Sequence, residues 1–209
     1  MAEGRSRQPA GRGDFPLLAN VYLHYVLDEW FEKDVKPRLR GRAFSVRFAD
    51  DAILAFSNEA DARKVLEVLP KRFARYGLTL HPTKTRLVRF RPYREQRAET
   101  FDFLGFTFYW GKSRRGRLII KQKTAKDRYK RGLKRISLWC RANRHRPLRE
   151  QHRQLCRKVT GHYAYYGITN NIEALQRFVN TVRRIWIKWL RRRSQKGWFS
   201  WEKAAPLLS

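Results

Sequence analysis

Asp50 and Asp51 are adjacent carboxylates set between two apolar runs, Ala43 to Phe48 and Ala52 to Phe56. Phe44, Val46 and Phe48 alternate with Ser45 and Arg47, which is the period of a strand. A tight turn through Ala49, Asp50 and Asp51 joins the runs into an expected hairpin. Such a turn holds two hard oxygen ligands at the edge of a sheet. That is the donor set Mg2+ takes alongside waters and phosphate oxygens. In two-metal phosphoryl transfer, carboxylates of this kind hold ions about 3.5–4 Å apart. An isolated Asp-Asp pair is equally an ordinary polar turn; the flanking strands are what favour a metal site.

The elements around this turn follow from periodicity. Pro16 opens a helix in which Leu18, Val21, Tyr22, Tyr25 and Trp30 recur at helical spacing, until Pro37 and Gly41 break it. A second helix is expected over 59–76, with a stripe of Ala62, Val65, Leu66, Leu69 and Phe73, a C-cap at Gly77 and a kink or break at Pro70. An extended segment, Leu80 to Phe90, leads to a Phe-rich strand, Phe101 to Trp110, with a bulge or close approach at Gly105. Arg117–Lys121 is its expected partner. Three helices follow, about 125–142, 148–166 and 172–194, with apolar stripes that include Ile136 and Cys140, then Leu155, then Phe178, Val182 and Trp186. The fold class is α+β.

The chain has 209 residues, 48 of them Lys or Arg and 18 Asp or Glu, for a formal charge of +30. Apolar residues make up 42%, enough for a core, so wholesale disorder is excluded. No apolar run approaches the length of about 18 residues needed to cross a membrane. Cys140 and Cys156 cannot form a disulfide framework. Residues 1–100 carry a net charge of +7 and residues 101–209 carry +23. Basic residues interleaved with aromatics point to a folded surface that binds a polyanion, with nucleic acid the obvious one. Residues 1–14 read as a disordered lead-in.

Phe48-Ala49-Asp50-Asp51 resembles the (Y/F)xDD box of reverse transcriptases, in the form used by group II intron-encoded proteins. Pro16 to His24 resembles the helix that follows their PQG turn. Tyr76-Gly77-Leu78 with Leu80-His81-Pro82-Thr83-Lys84-Thr85 resembles their next motif. Phe103-Leu104-Gly105-Phe106 resembles the primer-grip hairpin. Gly161 to Gly167, with Trp186 and Trp189, resembles the maturase-specific (thumb, or X) region. The likeness covers nearly everything from Phe15 onward.

The resemblance implies a partial reverse-transcriptase palm over 15–122 and an all-helical basic thumb over 123–209. It implies that Asp50 and Asp51 bind Mg2+ in a two-metal site and that Lys84 protonates the pyrophosphate leaving group. Phe103, Leu104, Gly105 and Phe106 would position the primer. Group II intron RNA and an RNA/DNA primer-template are the implied partners, in a bacterial-type cytoplasmic ribonucleoprotein or its organellar counterpart. The residues expected to contact RNA are Arg128, Lys130, Arg131, Lys134, Arg135, Arg177, Arg183, Arg184, Lys188, Arg191, Arg192 and Arg193.

The pattern also departs from the family. The further aspartate that completes the metal site in the family has no counterpart, since the one aspartate before the Pro16 helix is Asp14, in a Gly-rich stretch. The PQG turn is absent; Gln8-Pro9-Ala10-Gly11 is a scrambled version of it. The expectation is therefore a C-terminal half that needs a complementing N-terminal half or a dimer. Three functions compete: a polymerase segment that works when completed, an RNA-binding maturase module, and a decayed fragment whose Phe44, Phe101 and Phe108 lie exposed. Phosphoryl transfer depends on positioning and electrostatics, so the isolated chain is expected to extend no oligo(dT) primer on poly(rA) with Mg2+. Mg2+-dependent synthesis that vanishes in Asp50→Ala would overturn this.

Overall fold

A computed structural model describes residues 15–92 and 99–193; the expected lead-in over 1–14 lies outside them. The architecture is α+β, with antiparallel strands and helices, as expected. The chain forms two compact units that divide between Leu87 and Val88. The compositional boundary at 122 thus lies inside the second unit.

In the first unit, α1 (Phe15–Leu23) runs on through π-type turns at His24–Glu29 and Phe31–Val35 and ends in a 3-10 turn, Lys36–Arg38. The Pro16 helix is therefore irregular where a plain amphipathic helix was expected. β1 (Ala43–Phe48) and β2 (Asp51–Phe56) pair antiparallel, with Phe48 opposite Asp51. α2 spans Glu59–Arg75. Phe31, Val35, Ala43 and Val65 form one apolar cluster, with Leu54 and Phe56 packed against it. Val26, Leu27, Leu69 and Phe73 form a second.

The alternation of β1 holds, and its apolar face looks outward: Phe44, Val46 and Phe48 are 62%, 57% and 64% exposed. Ala43, Leu54 and Phe56 fill the inner face instead, and Arg47 shares it. Pro70 does not break α2, because it sits on the solvent side, where water can take the carbonyl its missing N–H leaves unpaired. Gly77 does cap the helix. At φ 67 it lets its own N–H reach Ala74 O and the N–H of Leu78 reach Phe73 O, the two bonds of a Schellman motif. At the other end, Asn58 accepts from the Ala60 N–H, and buried Asp61 accepts from the N–H groups of Arg40 and Gly41.

In the second unit, the single strand that periodicity suggests over Phe101–Trp110 is two strands, with the turn within the stretch likened to the primer-grip hairpin. β3 (Phe101–Phe103) and β4 (Phe106–Lys112) reverse at Leu104 and Gly105, whose φ values are 49 and 80. Successive left-handed residues make a tight hairpin turn rather than a bulge. β5 (Leu118–Thr124) completes the order β3-β4-β5. Phe101 and Phe108 are not exposed as the decayed-fragment reading expects. They stack on each other at 5.1 Å, with Phe90 edge-on to Phe101.

α3 (Lys126–Asn143), α4 (Leu148–Tyr166) and α5 (Ile172–Leu190) enclose Ile136, Cys140, Leu155, Phe178, Val182, Trp186 and Leu190. Buried Gln151 accepts from Trp186 Nε1 and donates to the carbonyls of Arg144 and Arg146, so no polar atom of its amide is stranded. Burial pushes the Cys140 thiol up to about 12, which leaves it unreactive. Asn171 ties sheet to helices: it accepts from Thr124 N–H and donates to Thr124 Oγ1 and to Tyr166 O.

His162 lies flat on Phe178, ring centroids 3.8 Å apart, with Nε2 buried and unpartnered. Burial holds its imidazole below the ordinary 6.5. The unfolded chain therefore binds this proton more readily than the folded one. Stability from His162 is complete above the ordinary value and declines as pH falls below it. Thermal melts between about pH 7.5 and pH 5 should show a smaller loss in His162→Phe, which keeps the stacked ring, than in the wild type.

Candidate metal-binding hairpin and basic helical surface

The β1–β2 turn is two residues long, Ala49 and Asp50, with Ala49 in the left-handed region at φ 53. Such a backbone costs a residue with a Cβ about 1 kcal/mol, so something must hold it. The neighbouring Arg47 does. Its Nη1 donates to Ala49 O at 2.9 Å and to Asn20 Oδ1 at 3.0 Å. Its Nε and Nη2 grip Asp28 at 2.9 and 2.6 Å in a two-pronged ion pair. The Asp28 carboxylate holds the guanidinium above its ordinary value.

Asp50 and Asp51 are both exposed, and neither side chain has a partner among the described residues. Asp51 lies opposite Phe48, on the outward face shared with Val46 and Ile53. Two unengaged carboxylates on a fixed turn suit Mg2+, which commonly takes one or two carboxylates and leaves its other positions to water and phosphate. Among the described residues no three His, Cys, Asp or Glu side chains converge. Lys84 belongs to the same unit, in a turn where its N–H and that of Thr85 donate to His81 O. Its side chain is exposed and contacts neither aspartate.

Phe103, Leu104, Gly105 and Phe106 belong to the second unit, at the β3–β4 turn. α4 braces that turn. Tyr165 donates its hydroxyl to Leu104 O at 2.9 Å and stacks on Phe106 at 5.9 Å. Tyr166 meets Phe106 edge-on, and the Ala125 N–H donates to Gly105 O. A Cβ on Gly105 would come within 3.1 Å of the Tyr166 hydroxyl, so the turn and α4 are in close contact.

The basic residues expected to meet RNA differ in their freedom. Lys130, Lys134, Arg135 and Arg184 are exposed along α3 and α5. Arg131 pairs with Asp127, and Arg128 lies 3.8 Å from the same carboxylate. Arg177 donates to Glu173 O. Lys188 and Arg192 lie over the Trp189 ring. Arg183 and Arg191 have partners. Arg193 donates to the carbonyls of His145 and Arg146, so it ties the α3–α4 connection to the end of α5.

Sequence reasoning passed over Arg149, Arg153 and Arg157, exposed at four-residue spacing on α4, and Lys158 above Trp139. The spacing itself was the available signal. It also passed over Arg47 with Asn20 and Asp28, and Tyr165 beside the turn.

Residues 9–108 match the family described as reverse transcriptase (RNA-dependent DNA polymerase). The matched stretch includes the Asp50–Asp51 hairpin and Lys84 and ends within β4. No curated protein matches the chain. Just under half of the chain is thus similar to the reverse transcriptase domain, whose family generally uses Mg2+ and binds a nucleic-acid template and primer. Tyr165→Phe should cost about 0.5–1.5 kcal/mol by releasing Leu104 O, and Tyr165→Ala more, through loss of the Phe106 stack. Denaturant unfolding of both variants measures the difference.

Proposed function

We propose that the chain is a group II intron-type reverse transcriptase/maturase that binds intron RNA through its basic helices. Nucleotidyl transfer at Asp50 and Asp51 would proceed when a further carboxylate and a nucleotide pocket complete the site. The reading rests above all on the reverse transcriptase match over residues 9–108 being followed by three helices with Arg and Lys on their outer faces. The charge of +23 over residues 101–209 supports RNA as the partner of those helices. Exposed Arg side chains suit phosphates, and aromatic side chains suit unstacked bases.

In the completed site, Mg2+ would supply charge neutralisation at the transferring phosphate. Asp50 and Asp51 would hold it as oxygen ligands. Lys84 would present an ammonium able to give a proton to the leaving group, with its exposed side chain reaching the pyrophosphate. Phe103 to Phe106 would bear on the primer backbone. The outward face of Phe44, Val46 and Phe48 would lie beside the same substrates.

Fluorescence anisotropy against a group II intron RNA and an unrelated structured RNA of equal length tests the binding. Affinity for the intron RNA should be the higher. It should fall steeply with salt, because each neutralised phosphate releases counterions. Replacing Arg128, Lys130 and Lys134 by Gln should flatten the logarithmic salt slope by roughly 0.7–0.9 for each phosphate no longer neutralised. Asp50→Asn should leave RNA affinity unchanged. A salt-insensitive affinity would overturn RNA binding by the basic surface, and equal affinity for both RNAs would overturn the intron assignment.

A further inference from the structure

We propose that Arg47 is the positioning residue of the Asp50–Asp51 turn, locking the one peptide plane that sets where Asp50 stands. This rests on the reading of the two aspartates as metal ligands. The geometry is specific. A guanidinium has five N–H donors in a fixed plane. Those of Arg47 meet Asp28 Oδ1 and Oδ2, Asn20 Oδ1, Asn20 O and Ala49 O. Every donor therefore has an acceptor, and the Ala49 carbonyl is one of them.

That carbonyl belongs to the peptide joining Ala49 to Asp50. Fixing its plane fixes the backbone N of Asp50 and hence the direction in which its carboxylate leaves the chain. Ala49 sits at φ 53, a conformation a residue with a Cβ leaves readily unless it is held. The neighbouring side chains of the turn offer no brace of their own, since Asp50 and Asp51 have no partners among the described residues. Arg47 supplies the brace from the packed face of the sheet, where its side chain is 14% exposed.

The helix carrying the acceptors is shaped for the task. Asn20 and Asp28 are eight residues apart. On a regular helix, with about 100° per residue, they would differ in direction by about 80°. The π-type turn at His24–Glu29 accommodates an extra residue per hydrogen bond and so narrows that gap. One guanidinium then reaches both. A lysine could pair with Asp28 but could not also span Asn20 and Ala49, because its ammonium lacks the planar fork.

The test uses the full chain labelled with 13C-alanine and Mn2+ alone as the metal probe. In Arg47→Lys the Ala49 carbon resonances should leave their left-handed values, and Mn2+ binding should weaken by about 10–100-fold. Val65→Ala, a core truncation in the same unit, should lower Tm and leave both readouts as in the wild type. If Arg47→Lys keeps the wild-type Ala49 resonances and Mn2+ affinity, or if Val65→Ala reproduces both changes, the proposal is overturned. Should Arg47→Lys fail to fold, Asn20→Ala carries the same comparison with a smaller change in the same direction. A wild-type chain that binds no Mn2+ at the turn refutes the metal reading of Asp50 and Asp51, and the Ala49 resonances then decide the role of Arg47 by themselves.

Discussion

The ion pair between Arg47 and Asp28 decides which way the first sheet faces. A two-stranded ribbon has one face to bury, and its two ends are held there by different means. At the open end, Ala43, Leu54 and Phe56 pack against Phe31, Val35 and Val65. At the turn end, the inner position belongs to Arg47, whose charge can sit there because a carboxylate, an amide and two carbonyls surround it. Because residues 43, 45 and 47 share a face, Phe44, Val46 and Phe48 have to look outward. The exposed aromatic strip, the left-handed Ala49 and the free carboxylates beyond it all follow from that choice.

The second unit is organised around contacts that cross from sheet to helix. Thr124, the last residue of β5, and Asn171, just before α5, exchange two hydrogen bonds in a buried setting. Tyr165 and Tyr166 close over the β3–β4 turn, and Ala125 bonds to Gly105 as α3 begins. These contacts tie the sheet to helices whose own apolar cluster, Ile136, Cys140, Leu155, Phe178, Val182, Trp186 and Leu190, is built from α3, α4 and α5 alone. The rise in positive charge near residue 122 is a property of the helix exteriors and says little about where the chain divides.

Strand and helix limits were legible because period and caps carry them. β1 lies where alternation put it, and Gly77 terminates α2 as its φ requires. What a period cannot give is which face finds a partner. By sequence alone Arg47 is one polar residue in an amphipathic strand; its importance comes from Asp28 and Asn20, 19 and 27 positions away. At Leu104 period and resemblance part company. Tight turns with two left-handed residues favour Asn or Gly at both positions, so by local pattern a lone Gly reads as a bulge, while the likeness of Phe103 to Phe106 to the primer-grip hairpin points to the turn. The aspartate pair was legible as a motif, yet its bracing was not. Among the basic residues, composition marks the surface but cannot separate Lys130, which is free to meet a phosphate, from Arg193, which is occupied with backbone carbonyls.

The outward strip of Phe44, Val46 and Phe48, with Leu17, Leu18 and Tyr25 exposed on the helix of the same unit, leaves apolar surface in water. A net charge of +30 makes copies of the chain repel one another, which opposes contact between such surfaces. The reach of that repulsion contracts from about 10 Å in 0.1 M salt to about 3 Å in 1 M. Raising the ionic strength therefore lets the phenylalanine faces approach, and on the proposed function the same change would release RNA from the basic helices, so one variable would govern both colloidal behaviour and nucleic-acid release.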